Sequence, residues 1–197
     1  MELCPSYPVR SARTLLRPLG PDDVDDLHAY RSLPEVCRFV PFEPMAKQDI
    51  AERITGVWAR RSLDAEGQAL ALGVELLESG RLIGDILLRW HSAEHRSGEI
   101  GYVFNPQVAG QGLATESVHQ LLHLAFDALG LRRVVARVDA RNDRSAAMAR
   151  RLGFRLEAHL IENEFFKGEW SDELDFALLA AEWSTRHEPS GCPNFAP

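Results

Sequence analysis

The sequence predicts one mixed α/β domain, and two observations indicate this fold class. Runs of alternating apolar residues, typical of strands, are interleaved with stretches in which apolar residues recur at helical spacing. No repeat, low-complexity tract or linker divides the 197 residues. A chain of this length can bury one sizeable core and is short for two. We therefore expect the strands and helices to share a single core.

The first third of the chain predicts an edge strand followed by helices. TLLRPLG (14–20) ends at a proline and a glycine, which favours a short strand. PDDVDDLHAYRS (21–32) begins with proline and has acidic residues in its first turn, a pattern typical of a helix start. Residues 46–63 predict a second helix, and its apolar stripe consists of Ile50, Ile54, Val57 and Trp58.

The middle of the chain predicts a hairpin, a strand and a helix. ALALGVELL (69–77) and LIGDILLRW (82–90) flank the turn ESGR (78–81), a pattern typical of a β-hairpin. GEIGYVF (98–104) alternates and predicts the next strand. A helix from Leu113 to Leu129 is expected after a Gly-rich stretch, because apolar residues recur there on one helical face.

The last third of the chain predicts three strands and a short helix. RRVVARVDA (132–140) is expected to be a strand, and NDRSAAMARRLG (142–153) has capping residues at its start and a glycine at its end. Two further strands, 154–166 and 173–183, are expected around the turn KGEWSD (167–172).

The ends of the chain and its apolar runs indicate the domain limits and the expected cellular location. We place the domain at residues 12–183, with an N-terminal extension at 1–11 and a disordered, proline-rich tail at 184–197. The N-terminus lacks the apolar core of a secretory signal, and no run approaches the roughly 18 apolar residues of a membrane span. We expect a cytoplasmic protein with no membrane partner.

Charge and cysteine usage argue against nucleic-acid binding, a disulfide framework and a zinc site. The net charge of −7 is unfavourable for nucleic acid as a partner and compatible with a cationic substrate. The three cysteines, Cys4, Cys37 and Cys192, are far apart and lack ligand spacing, so we expect neither a disulfide framework nor a zinc site. His119 and His123 have a spacing that can bind zinc, but no third ligand is nearby. No metal is expected.

The stretch NPQVAGQGLATES (105–117) lies where a predicted strand turns into a predicted helix. Free amides and the positive end of the helix dipole meet at such a corner, and glycines let an anion approach the backbone. The alternative is a turn that needs glycine for its geometry alone. A P-loop would need Gly-Lys-Ser/Thr, and a dinucleotide fingerprint would need a third glycine in an early βαβ unit. Both nucleotide-binding patterns fail here.

EIGYVFNPQVAGQGLATESV resembles the acyl-CoA-binding segment of the GNAT N-acetyltransferases, in their RimJ/RimL-like branch. The resemblance also includes LLRPLGPDDVDDL, RLIGDILL, RVVARVDARNDRSAAMARRLGFRLEAHL and GEWSDELDFALLAAEW, so it covers about residues 12–183 in the family's order. It implies a single-domain GNAT fold, with a twisted, mixed, mostly antiparallel sheet flanked by helices. The sheet is splayed open between its fourth and fifth strands, here 98–104 and 132–140, and acetyl-CoA is expected in the opening as a co-substrate.

The resemblance also implies how the chain binds acetyl-CoA. The pyrophosphate is expected to accept hydrogen bonds from backbone amides at the Gly-rich corner. The pantetheine arm is expected to pair like an added strand with the preceding strand. The family's usual Arg or Gln at the first position of AGQGLA is Ala109 here, so one side-chain contact is absent. The implied cofactor-binding residues are Val103, Phe104, Gly110, Gln111, Gly112, Leu113, Ala114, Thr115, Asn142 and Ser145.

Asn142 and Ser145 resemble the family's Asn-x-x-Ser pair at the start of the helix after the fifth strand. The resemblance implies that Asn142 holds the pantetheine arm and that Ser145 is the catalytic proton donor to the thiolate. The alternative is that both residues cap the helix. Many GNAT enzymes have a tyrosine acid four residues before the Gly-Phe pair, but that position is Ala149 here, which favours Ser145.

Two carboxylates are candidates for the catalytic base that takes the proton of the amine. Glu164 resembles the proposed catalytic glutamate of ribosomal-protein N-terminal acetyltransferases in this branch, and Glu99 has the position that other GNAT enzymes use. Either can act through a water, and a solvated strand residue is the alternative for each. We place Glu164 ahead of Glu99.

The function implied by this resemblance is acetyl-CoA-dependent N-acetyl transfer, by direct attack in a ternary complex. The acceptor is a primary amine, either a protein N-terminus or a small molecule. A non-catalytic acyl-CoA-binding module is the alternative, because Ala109 and Ala149 depart from the family pattern. The resemblance is compatible with a homodimer.

Overall fold

The computed structural model describes residues 1–186, within which eight strands form one sheet in the order β1-β2-β3-β4-β5-β6-β8-β7. The strands are β1 (Val9–Arg10), β2 (Thr14–Pro18), β3 (Ala69–Leu76), β4 (Leu82–Ser92), β5 (Ser97–Phe104), β6 (Arg133–Asp139), β7 (Arg155–Phe166) and β8 (Glu169–Leu179). The helices are α1 (Val24–Arg31), α2 (Pro34–Cys37), α3 (Lys47–Thr55), α4 (Leu113–His123), α5 (Asp143–Arg151) and α6 (Ala180–Arg186). The predicted fold class is confirmed, because the sheet is mixed, mostly antiparallel and flanked by helices.

The sheet separates two helical layers. On one face, β4 and β6 contribute even-numbered residues such as Ile86 and Val134 to a large apolar cluster with α4. On the other face, α1 and α3 pack Leu27, Ile50 and Ile54 against the first half of the sheet. This second cluster includes residues of β3, β4 and β5 and, among the described residues, none of β6, β7 or β8. The second half of the sheet therefore stays open on that face.

β5 and β6 are parallel neighbours that separate after a short ladder. The paired residues are Ser97–Arg133, Gly98–Val134 and Glu99–Val135. Beyond Glu99, β5 stays hydrogen-bonded to β4 and β6 stays hydrogen-bonded to β8, so the two strands diverge. The predicted opening between strands 98–104 and 132–140 is confirmed.

Several local predictions are confirmed. β3 and β4 form the predicted hairpin, with Ala69 opposite Arg89. The predicted helix from Leu113 to Leu129 is present as α4, which continues into a π-helical turn at Leu124–Ala128.

The C-terminal strands differ from the prediction at both ends. β7 and β8 are joined by Lys167 and Gly168, whereas the predicted turn spanned 167–172. The predicted strand at 173–183 is wrong beyond Leu179, where β8 gives way to α6. The amide of Leu179 donates to the Glu182 carboxylate at 2.8 Å, which stabilises the first turn of this helix.

α6 also changes the description of the predicted tail. The helix places Trp183 in the core, where its ring stacks on Phe126. Residues 184–186, the first three of the predicted disordered tail at 184–197, are helical because they continue this packed segment. The rest of that tail lies outside the described residues.

Two predictions for the N-terminal half need correction. α3 ends at Thr55 before a glycine, so Val57 of the predicted stripe is exposed while Trp58 is buried. The strand predicted at the sheet edge, 14–20, is not outermost, because β1 of the N-terminal extension at 1–11 pairs with β2. Leu3 of that extension is buried and forms a β-bridge with Leu63.

Candidate active site

The Gly-rich corner after β5 has a backbone that favours glycine. Gly110 and Gly112 have φ values of 78° and 77°, in the left-handed region where a side chain is strained. A Cβ atom added to Gly110 would meet no atom of residues 1–186 within 4 Å, and one added to Gly112 would meet the Arg13 guanidinium at 3.5 Å. Gly112 directly precedes α4. The start of the helix is therefore open to a ligand.

The first turn of α4 presents backbone amides at this corner. The amide of Glu116 donates to the Gly112 carbonyl at 3.0 Å. The amides of Leu113, Ala114 and Thr115 precede it and have no helical carbonyl to donate to. The Leu113 side chain is buried in the core, so its backbone alone faces the corner. These amides and the helix dipole favour an anion.

Arg13, directly before β2, supports the same corner. Its Nη1 donates to the Gln111 carbonyl at 3.0 Å, and its Nη2 lies 2.7 Å from the Glu116 carboxylate. Burial acts to raise the pKa of Glu116, but hydrogen bonds from Ser11 and Arg13 outweigh burial and lower it. Glu116 is thus an ionised acceptor that ties the corner to β2.

The opening between β5 and β6 exposes one edge of β5. Val103 and Phe104 pair with β4 on one side, and their other side faces the opening. Tyr102 spans part of the gap, since its hydroxyl donates to the Ser145 carbonyl at 3.3 Å. Burial raises the pKa of Tyr102 to about 12. The edge at Val103 and Phe104 offers backbone groups to an extended ligand.

Asn142 caps α5, as the alternative interpretation proposed. Its Oδ1 accepts a hydrogen bond from the Ser145 amide at 3.1 Å. The Ser145 side chain is partly exposed at the start of α5, near the opening. Ala149 is buried, which leaves no side-chain acid at the position where many relatives have tyrosine. The cofactor role of Asn142 and the acid role of Ser145 stay predictions.

An open cleft of about 210 Å³ lies on the face of the sheet that the second helical layer leaves open. Its walls come from the segment after α2, from β5 and β6, and from the β7–β8 hairpin. The lining residues are Phe39, Pro41, Glu99, Arg137, Asp139, Glu164, Phe166, Ser171, Asp172 and Glu173. Both predicted base candidates, Glu99 and Glu164, are therefore in one cleft.

Strand register explains why these polar residues meet. Even-numbered residues from 134 to 138 in β6 and from 174 to 178 in β8 are buried on one face of the sheet. The odd-numbered Arg137, Asp139 and Glu173 line the cleft on the other face. The antiparallel ladder places Asp139 opposite Glu173 and Arg137 opposite Asp175. β7 then adds Glu164, which pairs with Ser171.

The two base candidates differ in their surroundings. The Glu99 carboxylate lies 3.0 Å from His91 Nε2 and 3.8 Å from Arg137 Nη1. Glu164 is exposed and forms no ion pair with the part of the chain that the structure describes. Glu164 is thus the more available acceptor for an incoming ammonium.

Glu173 is a cleft residue that the sequence analysis missed. Burial raises the pKa of its carboxyl, and the negative charges of Asp175 and Glu164 add to that effect. The alternation of polar and apolar residues in SDELDF was a usable signal for a polar strand face. The pairing with Asp139 that brings this face to the cleft is a long-range contact, which periodicity does not reveal. Phe39 and Arg137 were missed for the same reason.

No helix within residues 1–186 combines the length and apolar character that a bilayer crossing requires. In the same part of the chain, His, Cys, Asp and Glu side chains form no group of three or more that could hold a metal ion. His119 and His123 instead pack their rings against Trp183, with centroids 4.8 and 4.9 Å away.

Comparison with known proteins agrees with this architecture. Residues 13–155 match the family model of the Acetyltransferase (GNAT) domain. The chain is 30% identical to the uncharacterized N-acetyltransferase p20 of Bacillus licheniformis over 87% of this chain and 96% of that protein. It is 24% identical to the spermidine N(1)-acetyltransferase of Escherichia coli K12, over 89% and 91% of the two chains.

A solved structure shows the same fold. The spermidine N-acetyltransferase of Vibrio cholerae, in complex with CoA and spermine, superimposes with a TM-score of 0.74 at 22% identity, covering 88% of this chain and 99% of that one. The open sheet and the Gly-rich corner therefore define an acyltransferase of the GNAT type. The chain belongs to the GNAT family and is an N-acetyltransferase of that family. The family match ends at residue 155, and the domain limits 12–183 stay a prediction.

Proposed function

We propose that this chain transfers the acetyl group of acetyl-CoA to a cationic primary amine, by direct attack in a ternary complex. The observation that carries the proposal is the placement of Glu99 and Glu164 in one cleft beside the point where β5 and β6 part. A proton acceptor and an opening for the acyl donor are thus adjacent.

The corner and the opening fit acetyl-CoA. The free amides of Leu113, Ala114 and Thr115 suit the pyrophosphate, because they carry no side-chain charge that would repel it and lie at the positive end of α4. The edge of β5 at Val103 and Phe104 suits the amide groups of pantetheine. When bound, acetyl-CoA supplies a thioester whose carbonyl carbon accepts the amine.

Side chains of this protein accept the proton of the ammonium and donate a proton to the departing thiolate. Glu164 accepts the proton of the ammonium, directly or through a water, and Glu99 is the alternative base. Ser145, at the start of α5, is proposed to donate a proton to the departing thiolate. Asn142 orders that turn through its hydrogen bond to the Ser145 amide.

The charges in the cleft favour a cationic acceptor. Five lining residues are carboxylates, and Arg137 is the basic residue among those that line it. Asp139 is already paired with Arg141, and Asp172 with His159. Glu99 is paired with His91 and Arg137. Glu164 and Glu173, which form no ion pair within residues 1–186, are left to meet a substrate ammonium. The relationship to a spermidine acetyltransferase supports an amine acceptor of this kind.

The test is release of free CoA thiol from acetyl-CoA in the presence of a panel of amines. The panel contains polyamines, peptides with a free N-terminus, and matched pairs of an amino acid and its amide. We expect the amide to be acetylated faster than the free amino acid, because the acidic cleft repels the carboxylate of the free amino acid. Acetyl-CoA binding without thiol release would instead indicate an acyl-CoA-binding module. A preference for anionic amines would contradict the cationic acceptor.

A further inference from the structure

Lys167 is the first residue of the tight turn between β7 and β8, and its side chain reaches back across the cleft rim. Its backbone has a φ of 52°, in the left-handed region that a side chain rarely adopts. Its ammonium donates to the Cys37 carbonyl at 2.6 Å and to the Phe42 carbonyl at 2.8 Å. The Glu43 carboxylate lies 3.6 Å away. The side chain is 24% exposed, so these contacts are partly shielded from water.

The two carbonyls that accept from Lys167 bracket one wall of the cleft. Cys37 is the last residue of α2, and residues 38–42, which end at Phe42, form the wall segment. Phe39 and Pro41 of that segment line the cleft. One ammonium therefore holds both ends of the wall segment, using two of its three N–H donors.

The same ammonium joins this wall to the opposite one. The hairpin that carries Lys167 also carries Glu164 and Phe166, which line the other side of the cleft. A second cation contacts the rim: Arg141 forms ion pairs with Glu169 of the hairpin and with Asp139 of β6. Arg141 connects the hairpin to the sheet, and its guanidinium also lies 5.8 Å from the ring centre of Phe39. Lys167 differs in that it hydrogen-bonds the backbone at both ends of the wall segment.

We propose that Lys167 is a positioning residue for the acceptor site, which holds segment 38–42 against the β7–β8 hairpin and so sets the width of the cleft. This inference rests on the proposed acetyl transfer to an amine. Lys167 touches neither the Gly-rich corner nor the opening between β5 and β6. Its loss should therefore weaken acceptor binding and leave acetyl-CoA binding unchanged.

The experiment compares wild type with Lys167→Met, which keeps the aliphatic chain and removes the donors. We expect the KM for the acceptor amine to rise about tenfold, as it does when the binding-competent arrangement becomes a minor state. The kcat and the acetyl-CoA dissociation constant should stay near wild type. Amide hydrogen exchange at Val40 and Phe42 should become faster, because the carbonyls on either side lose their tether.

Two variants control this experiment. Lys47→Met removes a lysine whose ion pair with Asp25 is exposed on α3, and it should change neither the acceptor KM nor exchange at residues 38–42. Lys167→Arg keeps a cationic donor and should restore most of the acceptor affinity.

The outcomes separate this inference from the proposed function. An active wild type with an unchanged acceptor KM in Lys167→Met overturns the inference and leaves the proposed function standing. Equal losses of acceptor and acetyl-CoA binding also overturn it, because they indicate a general effect on the fold. If wild type acetylates no amine, the proposed function fails and the acceptor role of Lys167 fails with it. The exchange data then still report whether the residue orders the segment.

Discussion

Glu164 and Glu99 line the same cleft but differ in their partners. Glu99 shares its charge with His91 and Arg137, whereas Glu164 has no ion pair within residues 1–186. A base must be ionised and accessible to the acceptor nitrogen at the working pH. Accessibility therefore favours Glu164, and the partners of Glu99 suit it to a supporting electrostatic role.

Replacing each glutamate by glutamine tests this assignment, because glutamine keeps the shape and removes the basicity. We expect Glu164→Gln to lower kcat by about 10²–10⁴-fold and Glu99→Gln to have the smaller effect. Thiol release under saturating substrates measures both.

The double variant distinguishes the remaining possibilities. Two partial losses that do not multiply would indicate a water held by both carboxylates. Wild-type kcat in both single variants and in the double variant would mean that neither residue is the base, and that the acceptor arrives neutral.

The contact between α1 and β4 depends on a buried charge. Arg31 of α1 donates from Nε to Asp85 of β4 at 2.9 Å, and Tyr30 donates to the same carboxylate at 2.7 Å. The Arg31 guanidinium lies 4.5 Å from the ring centre of Phe42 and 4.8 Å from that of Trp58. Burial, followed by the charge of Asp85, raises the pKa of Tyr30 well above its ordinary value. This buried ion pair thus adds to the apolar packing that attaches the helical layer beside the cleft to the sheet.

Asp85→Ala should destabilise the protein by about 3–5 kcal/mol, because it leaves the Arg31 charge buried without its partner. Urea unfolding measures the change. Asp25→Ala is the matched control, since it removes an exposed ion pair with Lys47 and should have little effect. The double variant Arg31→Met, Asp85→Leu should recover most of the free energy of unfolding that Asp85→Ala loses. A loss in Asp85→Ala no larger than that of the control would contradict the assignment.

A second set of charges connects β6, β7 and α6. Glu157 of β7 accepts hydrogen bonds from Arg133 and Arg155, and Arg155 also pairs with Glu182 of α6. The hydrogen bond from Arg133 is the main cause that lowers the pKa of Glu157 from 4.5 to about 2, against the opposing effect of burial. The native state therefore binds the proton of this carboxyl more weakly than the unfolded state does.

The sign of the pH effect follows from this lowered pKa. The stabilisation from Glu157 is present above pH 4.5 and is lost as the pH falls towards about 2. We expect the free energy of unfolding of Glu157→Gln, measured by urea denaturation, to fall less than that of wild type between about pH 5 and pH 3. Glu78→Gln, in the exposed turn after β3, is the control. Equal acid sensitivity of wild type and Glu157→Gln would refute the expectation.

At the scale of the whole molecule, the opening between β5 and β6 divides the sheet into two halves. The halves share a three-residue ladder and the helices packed beneath it. A ligand that contacts β5 and the start of α4 binds the native state and has no equivalent site in the unfolded chain. Such a ligand stabilises the fold by mass action.

Acetyl-CoA should therefore raise the free energy of unfolding by about 2.7 kcal/mol at a hundred times its dissociation constant. Gly112→Asp should abolish this increase, because it places a carboxylate beside the amides that we propose receive the pyrophosphate. Gly80→Asp is the matched control, since Gly80 also has a positive φ of 68° but lies in the β3–β4 turn. Thermal unfolding with and without acetyl-CoA measures both variants. An undiminished stabilisation of Gly112→Asp would show that the corner is misassigned.

Elements whose signals are local could be predicted from the sequence. The β3–β4 hairpin, β5, the Gly-rich corner and α4 follow from periodicity and turn chemistry, because each depends on residues close together in the chain. The family resemblance supplied the order of these elements and the opening between β5 and β6. Glu164 and Glu99 were proposed from position in that pattern.

Contacts between distant residues could not be predicted from the sequence. Strand register placed Glu173 opposite Asp139 and turned it into the cleft, and packing of Trp183 made a helix of a segment that alternates like a strand. Lys167 contacts carbonyls more than a hundred residues away in the chain, at Cys37 and Phe42. Such contacts depend on how whole elements pack together, and their free energies outweigh the weak local preferences that a sequence pattern reports.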